Sequence, residues 1–202
     1  MPSWHPSTMP AAAPLFPRRS FGASPVFAAR AALCLGVLAS AAAVAQEPPP
    51  RPAVYVQWGE ARADRQGWIL GATLPWQGWS QALGSGALRG HWDLYLGQWS
   101  ARLPAQRLHS NVLGVGAALQ WRAQQGSAPW FVEAGTGLNY AQPRFMDMST
   151  RLNFASHLAL GFEHGAQREH EWQLRLQHSS NGGVKKPNPG QNFLQLRYAR
   201  HF

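Results

Sequence analysis

Residues 151–163, RLNFASHLALGFE, alternate with a strict period of two. One face carries Leu152, Phe154, Ser156, Leu158, Leu160 and Phe162. The other carries Arg151, Asn153, Ala155, His157, Ala159, Gly161 and Glu163. Successive side chains of a strand point to opposite faces, so this run is a strand with one bulky apolar face and one small or polar face. At about ten residues or more it is long enough to cross a bilayer obliquely.

The same pattern recurs outward from this run. In 130–138, Trp130, Val132, Ala134, Thr136 and Leu138 oppose Phe131, Glu133, Gly135 and Gly137. In 171–177, Trp172, Leu174 and Leu176 oppose Glu171, Gln173, Arg175 and Gln177. In 88–96, Leu88, Trp92, Leu94 and Leu96 oppose Arg89, His91, Asp93 and Tyr95. Eight runs are predicted, over 53–61, 67–76, 87–98, 109–122, 129–140, 150–163, 170–180 and 191–202, separated by Gly, Pro, Gln and Ser clusters. An even number of antiparallel strands closes without an edge, as lipid requires of any strand structure. The expected fold is all-β, an eight-stranded antiparallel transmembrane β-barrel. Eight strands enclose room for side chains and no wide channel, which argues against a pore.

A secreted soluble barrel or sandwich is the rival reading, because alternation alone does not say which face looks out. Packing decides for the membrane: eight strands of Trp and Leu would crowd so narrow an interior. Trp58, Trp68, Trp76, Trp99, Trp121, Trp130, Tyr140 and Trp172 cluster near strand ends, as interfacial girdles do. The last residue is Phe202, and a C-terminal aromatic resembles the assembly signal of bacterial outer-membrane proteins.

The first 45 residues read differently. Arg18, Arg19 and Arg30 precede an apolar run over 31–45 that ends in Ala43-Val44-Ala45, a small-x-small cleavage signal. Residues 1–45 are therefore predicted to be a signal peptide, 46–52 a short Pro-rich lead-in, and 53–202 the barrel. The one cysteine, Cys34, falls inside the leader, so the mature chain has neither disulfide nor thiol chemistry. Fifteen Lys/Arg and nine Asp/Glu follow residue 45, a mature net charge of +6. Export excludes nucleic acid and leaves anionic lipid as the partner of that charge. No metal-ligand spacing stands out, and no cofactor is expected. His91 and His157 are expected to pack inside the barrel.

The densest chemical signal is residues 174–196, LRLQHSSNGGVKKPNPGQNFLQL. His178 and Ser180 share the face of Trp172, Leu174 and Leu176 and so point toward lipid. Polar groups there are costly unless they lie near headgroups or have a role. An imidazole and a hydroxyl at i and i+2 suit a general base and a nucleophile. In the next strand Asn192 shares the outward face with Leu194, Leu196 and Tyr198, where it is placed to orient the imidazole.

The pattern H-x-S-N-x-G followed by K-x-P-N-x-G just before a final strand resembles the PagL-type lipid A 3-O-deacylases over about 176–198. That resemblance implies an outer-membrane serine esterase that removes the 3-O-linked acyl chain from lipid A of lipopolysaccharide. It implies His178 as base and Ser180 as nucleophile. The family carries Glu at the position of Asn192. Asn accepts a hydrogen bond through its amide oxygen but cannot stabilise an imidazolium by charge, so slower chemistry, or reliance on another carboxylate from an earlier strand, is expected. Backbone N–H groups of Asn181, Gly182 and Gly183 and the side chain of Asn188 are the candidate oxyanion donors. The bland alternative is that N-G-G and P-N-P-G are only turn chemistry. Lys185 and Lys186 are candidates for the anionic headgroup, against the alternative of solvated loop charges. With both termini periplasmic, this loop is extracellular, beside the outer leaflet. The resemblance also carries a homodimer, for which no interface is visible in the residues. A barrel phospholipase or acyltransferase, and a non-catalytic structural barrel, remain the competing functions, the last favoured by Asn192.

Overall fold

A computed structural model of the chain describes residues 50–123 and 129–202. The leader and most of the lead-in lie outside the described residues. Eight strands follow in order: β1 (Ala53–Ala61), β2 (Arg65–Leu83), β3 (Gly86–Arg102), β4 (Arg107–Ala123), β5 (Trp130–Gln142), β6 (Leu152–His164), β7 (His170–Ser180) and β8 (Gln191–His201). Each pairs antiparallel with the next, and β1 pairs with β8, closing the barrel in the order β1 to β8. The Phe202 N–H donates to the Pro52 carbonyl at 3.0 Å, so the two ends of the barrel chain meet at one mouth.

The bulky face looks outward. Leu158 is 65 % exposed and Leu113 62 %, and every strand contributes exposed Leu, Val, Phe or Trp to the same belt. An apolar surface that encircles the whole sheet is far beyond what a water-soluble monomer presents. This settles the choice left open by alternation in favour of a barrel that lies in lipid.

The inward face is polar and tightly partnered. Asp93 on β3 accepts from the Tyr55 hydroxyl at 2.6 Å, from Arg197 at 3.0 Å and from Arg175 at 3.3 Å. Glu133 on β5 accepts from Arg175 at 2.8 Å and lies 3.0 Å from the His157 ring. Nearer the mouth that holds the chain ends, Arg122 makes a two-pronged pair with Glu163, both contacts at 2.7 Å. Burying ions is tolerable only when opposite charges and hydrogen bonds replace water, and here they do.

Three readings of the sequence need correction. Trp99 is not part of an interfacial girdle. It is 1 % exposed and lies inside, edge-on to Phe145 and tilted against Phe193, with ring centroids at 5.3 Å in both pairs. Its odd position on β3 puts it on the inward face of Asp93 and Tyr95. The interior is accordingly not only small and polar: Trp99, Phe145, Phe193 and the buried Met148 fill the opposite mouth. Finally, β2 and β3 run beyond the predicted 67–76 and 87–98. A bulge between Pro75 and Ser80, with Gly78 at φ +70°, absorbs the Pro-Gly signal, and pairing resumes as far as Leu83 and Gly86. Trp76 packs edge-on to Trp79 and Trp92 across that bulge.

Candidate active site

Strand alternation puts His178 on the outer face of β7, exposed, between the buried Gln177 and Ser179. Register places Asn192 of β8 directly opposite it. The His178 Nδ1 and the Asn192 Oδ1 are 2.7 Å apart. An amide oxygen only accepts, so Nδ1 carries the proton and donates it, and the Nε2 lone pair is left for an incoming proton. Among the described residues His178 pairs with no carboxylate.

Ser180 lies two residues further along the same face, half-buried and opposite Phe154 of β6. Its hydroxyl is not hydrogen-bonded to the imidazole here. Phe154 is exposed, and its ring lies over Gly182: a Cβ at Gly182 would meet the ring at 3.2 Å. Ser180 is thus flanked by an apolar wall and a Gly-rich loop.

That loop, residues 181–190, is held from below. The buried Asn181 donates through Nδ2 to the Lys185 carbonyl at 2.7 Å and to Ser149 Oγ at 2.9 Å, and its Oδ1 accepts from the Gly183 N–H at 2.9 Å. The Asn181 N–H donates to Asn188 Oδ1 at 3.1 Å. Two of the oxyanion candidates, the N–H groups of Asn181 and Gly183, are therefore engaged within the loop. The Gly182 N–H makes no hydrogen bond to any described residue, and Asn188, held by its oxygen, keeps its amide hydrogens. Lys185 and Lys186 are exposed at the loop tip.

Two positioning residues escaped the list of candidates. Ser149, in the loop after β5, accepts from Asn181 and donates to the Lys185 carbonyl at 2.8 Å, tying one loop to the other. Gly190 ends the 181–190 loop at φ +68° with its backbone flat against the imidazole: a Cβ there would meet His178 Cε1 at 2.7 Å. The K-x-P-N-x-G pattern already held Gly190, and its positive φ is the physical reason for glycine. Ser149 left no local signal, because its partners lie 32 and 36 residues away.

The four loops on the Ser180 side share one mouth, and it is basic. Arg62, Arg102, Arg107, Arg144, Arg151, Lys185 and Lys186 are all exposed there, against Glu60, Asp64 and Asp147.

Residues 66–201 match the family model described as lipid A 3-O-deacylase (PagL). A lipid A deacylase PagL of Bordetella bronchiseptica (strain ATCC BAA-588 / NCTC 13252 / RB50) is 34% identical over 76 residues, which cover 36% of this chain and 42% of that protein. The chain thus spans less than half the length of that relative. Among solved structures, the crystal structure of the outer membrane enzyme PagL superposes with a TM-score of 0.64 at 24% identity, over 74% of this chain and 99% of that one. That likeness is one of fold.

Proposed function

The chain belongs to the lipid A 3-O-deacylase (PagL) family, and on that premise we propose that it is an outer-membrane serine esterase that hydrolyses the 3-O-linked acyl chain of lipid A. The observation that carries the proposal is the 2.7 Å contact between His178 Nδ1 and Asn192 Oδ1 on the lipid-facing wall, one alternation from Ser180. No structural need explains an oriented imidazole there.

In the proposed reaction, Nε2 of His178 takes the Ser180 proton as Oγ attacks the ester carbonyl. The negative charge on the carbonyl oxygen is met by the Gly182 N–H and the Asn188 amide; the Asn181 and Gly183 N–H groups contribute only on leaving their loop partners. His178 then gives the proton to the departing sugar oxygen, leaving an acyl ester on Ser180. Water, deprotonated by the same imidazole, attacks the acyl ester; the imidazolium returns its proton to the departing Ser180 Oγ, and the fatty acid is released. Asn192 keeps the ring in the useful tautomer without supplying charge, so the imidazolium is less stabilised than with a carboxylate.

The basic mouth supports the substrate class and the orientation. Its arginines and lysines, Lys185 and Lys186 among them, suit a phosphorylated sugar headgroup in the outer leaflet, with the acyl chains along the apolar wall below. The test is expression in a Gram-negative host that lacks such activity, with mass spectrometry of its lipid A. The native chain should remove one acyl chain, from the 3-position, and Ser180→Ala and His178→Ala should not. Lipid A left intact by all three, with the native protein folded, overturns the esterase; loss of a phospholipid acyl chain instead assigns a phospholipase.

A further inference from the structure

Arg102 and Arg107 share the basic mouth with Ser180 but stand on another wall. In a closed ring of eight strands, the β3–β4 pair lies opposite the β7–β8 pair. A lipid lying against His178 on the outside of the cylinder does not reach them.

Parity puts both arginines on the outer face. Leu94 and Leu96 on β3, and Leu113 and Val115 on β4, are exposed toward lipid. The same alternation continues toward the Ser180-side mouth through Gln98, Ser100 and Arg102 on β3 and Asn111, His109 and Arg107 on β4. Register sets Gln98 against Asn111, Ser100 against His109, and Arg102 against Arg107. The last apolar rung is Leu96 against Leu113. From there the arginines are about 20 Å further along the strands, at a rise of about 3.3 Å per residue. The amides between are neutral: Gln98 donates to Asn111 Oδ1 at 3.3 Å and accepts from His109 Nδ1 at 2.9 Å. The wall passes from leucine through amides to guanidinium, as a phosphorylated lipid passes from acyl chain through polar linkage to phosphate.

The arginine rung lacks matching negative charge. Like charges directly opposite one another in a sheet repel. Among the described residues the carboxylate nearest to it is that of Asp64, 3.9 Å from Arg102 Nε, with both side chains more than two-thirds exposed. Arg107 donates to the neutral Ser100 Oγ at 3.3 Å. A guanidinium has five N–H donors, so most of those on this rung are turned outward without a protein acceptor. A phosphate between the two removes the repulsion and accepts from both.

We propose that Arg102 and Arg107 form a second, non-catalytic site for a phosphate-bearing lipid of the outer leaflet, with its polar linkage over Gln98 and Asn111 and its chains over Leu96 and Leu113. The bound lipid is a fixed neighbour of the barrel and sets its height in the leaflet. The site stands whether or not Ser180 is a nucleophile.

The experiment uses membrane-purified protein carrying Ser180→Ala, so that no lipid is consumed, in neutral detergent micelles. Lipid A bearing two phosphates, or its dephosphorylated form, is titrated in. Hydrogen exchange over residues 98–111 reads occupancy of this wall, exchange over 178–192 reads the opposite one, and heat-modifiable electrophoretic mobility checks folding. The phosphorylated lipid is expected to slow exchange over 98–111, and less so as salt is raised. Arg102→Gln with Arg107→Gln, or removal of the lipid phosphates, is expected to weaken that binding by about tenfold. Exchange over 98–111 that ignores the phosphorylated lipid overturns the site. So does equal binding of the two lipid forms, or unchanged affinity in the folded double variant. A folded double variant that loses protection over 178–192 to the same degree also overturns it, because the arginines then serve the headgroup at the opposite wall.

Discussion

The two faces of β7 carry polarity of two different kinds. Inward, Glu171, Gln173, Arg175, Gln177 and Ser179 are buried and joined to their neighbours: Arg175 reaches Glu133 and Asp93, and Gln173 reaches Glu171 and Glu133. Outward, Trp172, Leu174 and Leu176 meet lipid until His178 and Ser180 interrupt them, with a single hydrogen bond, to Asn192. Polarity sealed inside the cylinder replaces the water it excludes and holds the sheet closed. Polarity turned toward hydrocarbon gains nothing for the fold, and this supports the proposed chemistry at His178 and Ser180. Position on the strand is the same in both cases; only the parity differs.

The contrast can be broken at either face. The largest effect is expected from Ser180→Ala, which should lower ester hydrolysis by on the order of 10³-fold or more while the barrel folds and unfolds as before. A Ser180→Ala protein with full activity would sink the assignment. On the inner face, Asp93→Ala leaves Arg175 and Arg197 without their shared carboxylate in the lumen. It should cost about 3–5 kcal/mol of stability, read as a lower urea midpoint in detergent micelles. Retained stability there would mean that the inner network is not what holds the sheet.

Smaller changes sharpen the outer face. Gly190→Ala forces a Cβ onto the imidazole at a positive φ, a backbone cost of about 1–2 kcal/mol before the clash is counted. It should reduce kcat by about tenfold or more, with the melting transition lowered by roughly 2–8 °C. Asn192→Glu supplies the missing charge to an imidazolium that already has its hydrogen bond. Charged hydrogen bonds exceed neutral ones by about 1 kcal/mol, so roughly a five- to tenfold gain in kcat is expected. A loss instead would show that the site is tuned to the neutral amide.

Much of this was legible before any coordinates. Eight strands, their alternation and the common face of His178, Ser180 and Asn192 all follow from a period of two, a property of adjacent residues. Where reading failed, the deciding contact was distant or the local signal was overruled. Gly78, just past the predicted 67–76, looks like the start of a loop, yet the paired strands tolerate it in a bulge between Pro75 and Ser80. Trp99 looks like a girdle residue by type, yet its parity and the rings of Phe145 and Phe193 draw it inside. Ser149 looks like any loop serine until the closed barrel brings it under Asn181.

The sequence alone determined how many strands there are and which side chains share a face, because covalent geometry alternates them without reference to the rest of the chain. Only the closed tertiary structure decided which ions meet across the lumen, which loops meet beneath Asn181, and what lies against the imidazole. Arg175 and Arg197 find Asp93 across separations of 82 and 104 residues. Contacts of that kind come from the register of a closed sheet, which no local stretch of sequence contains.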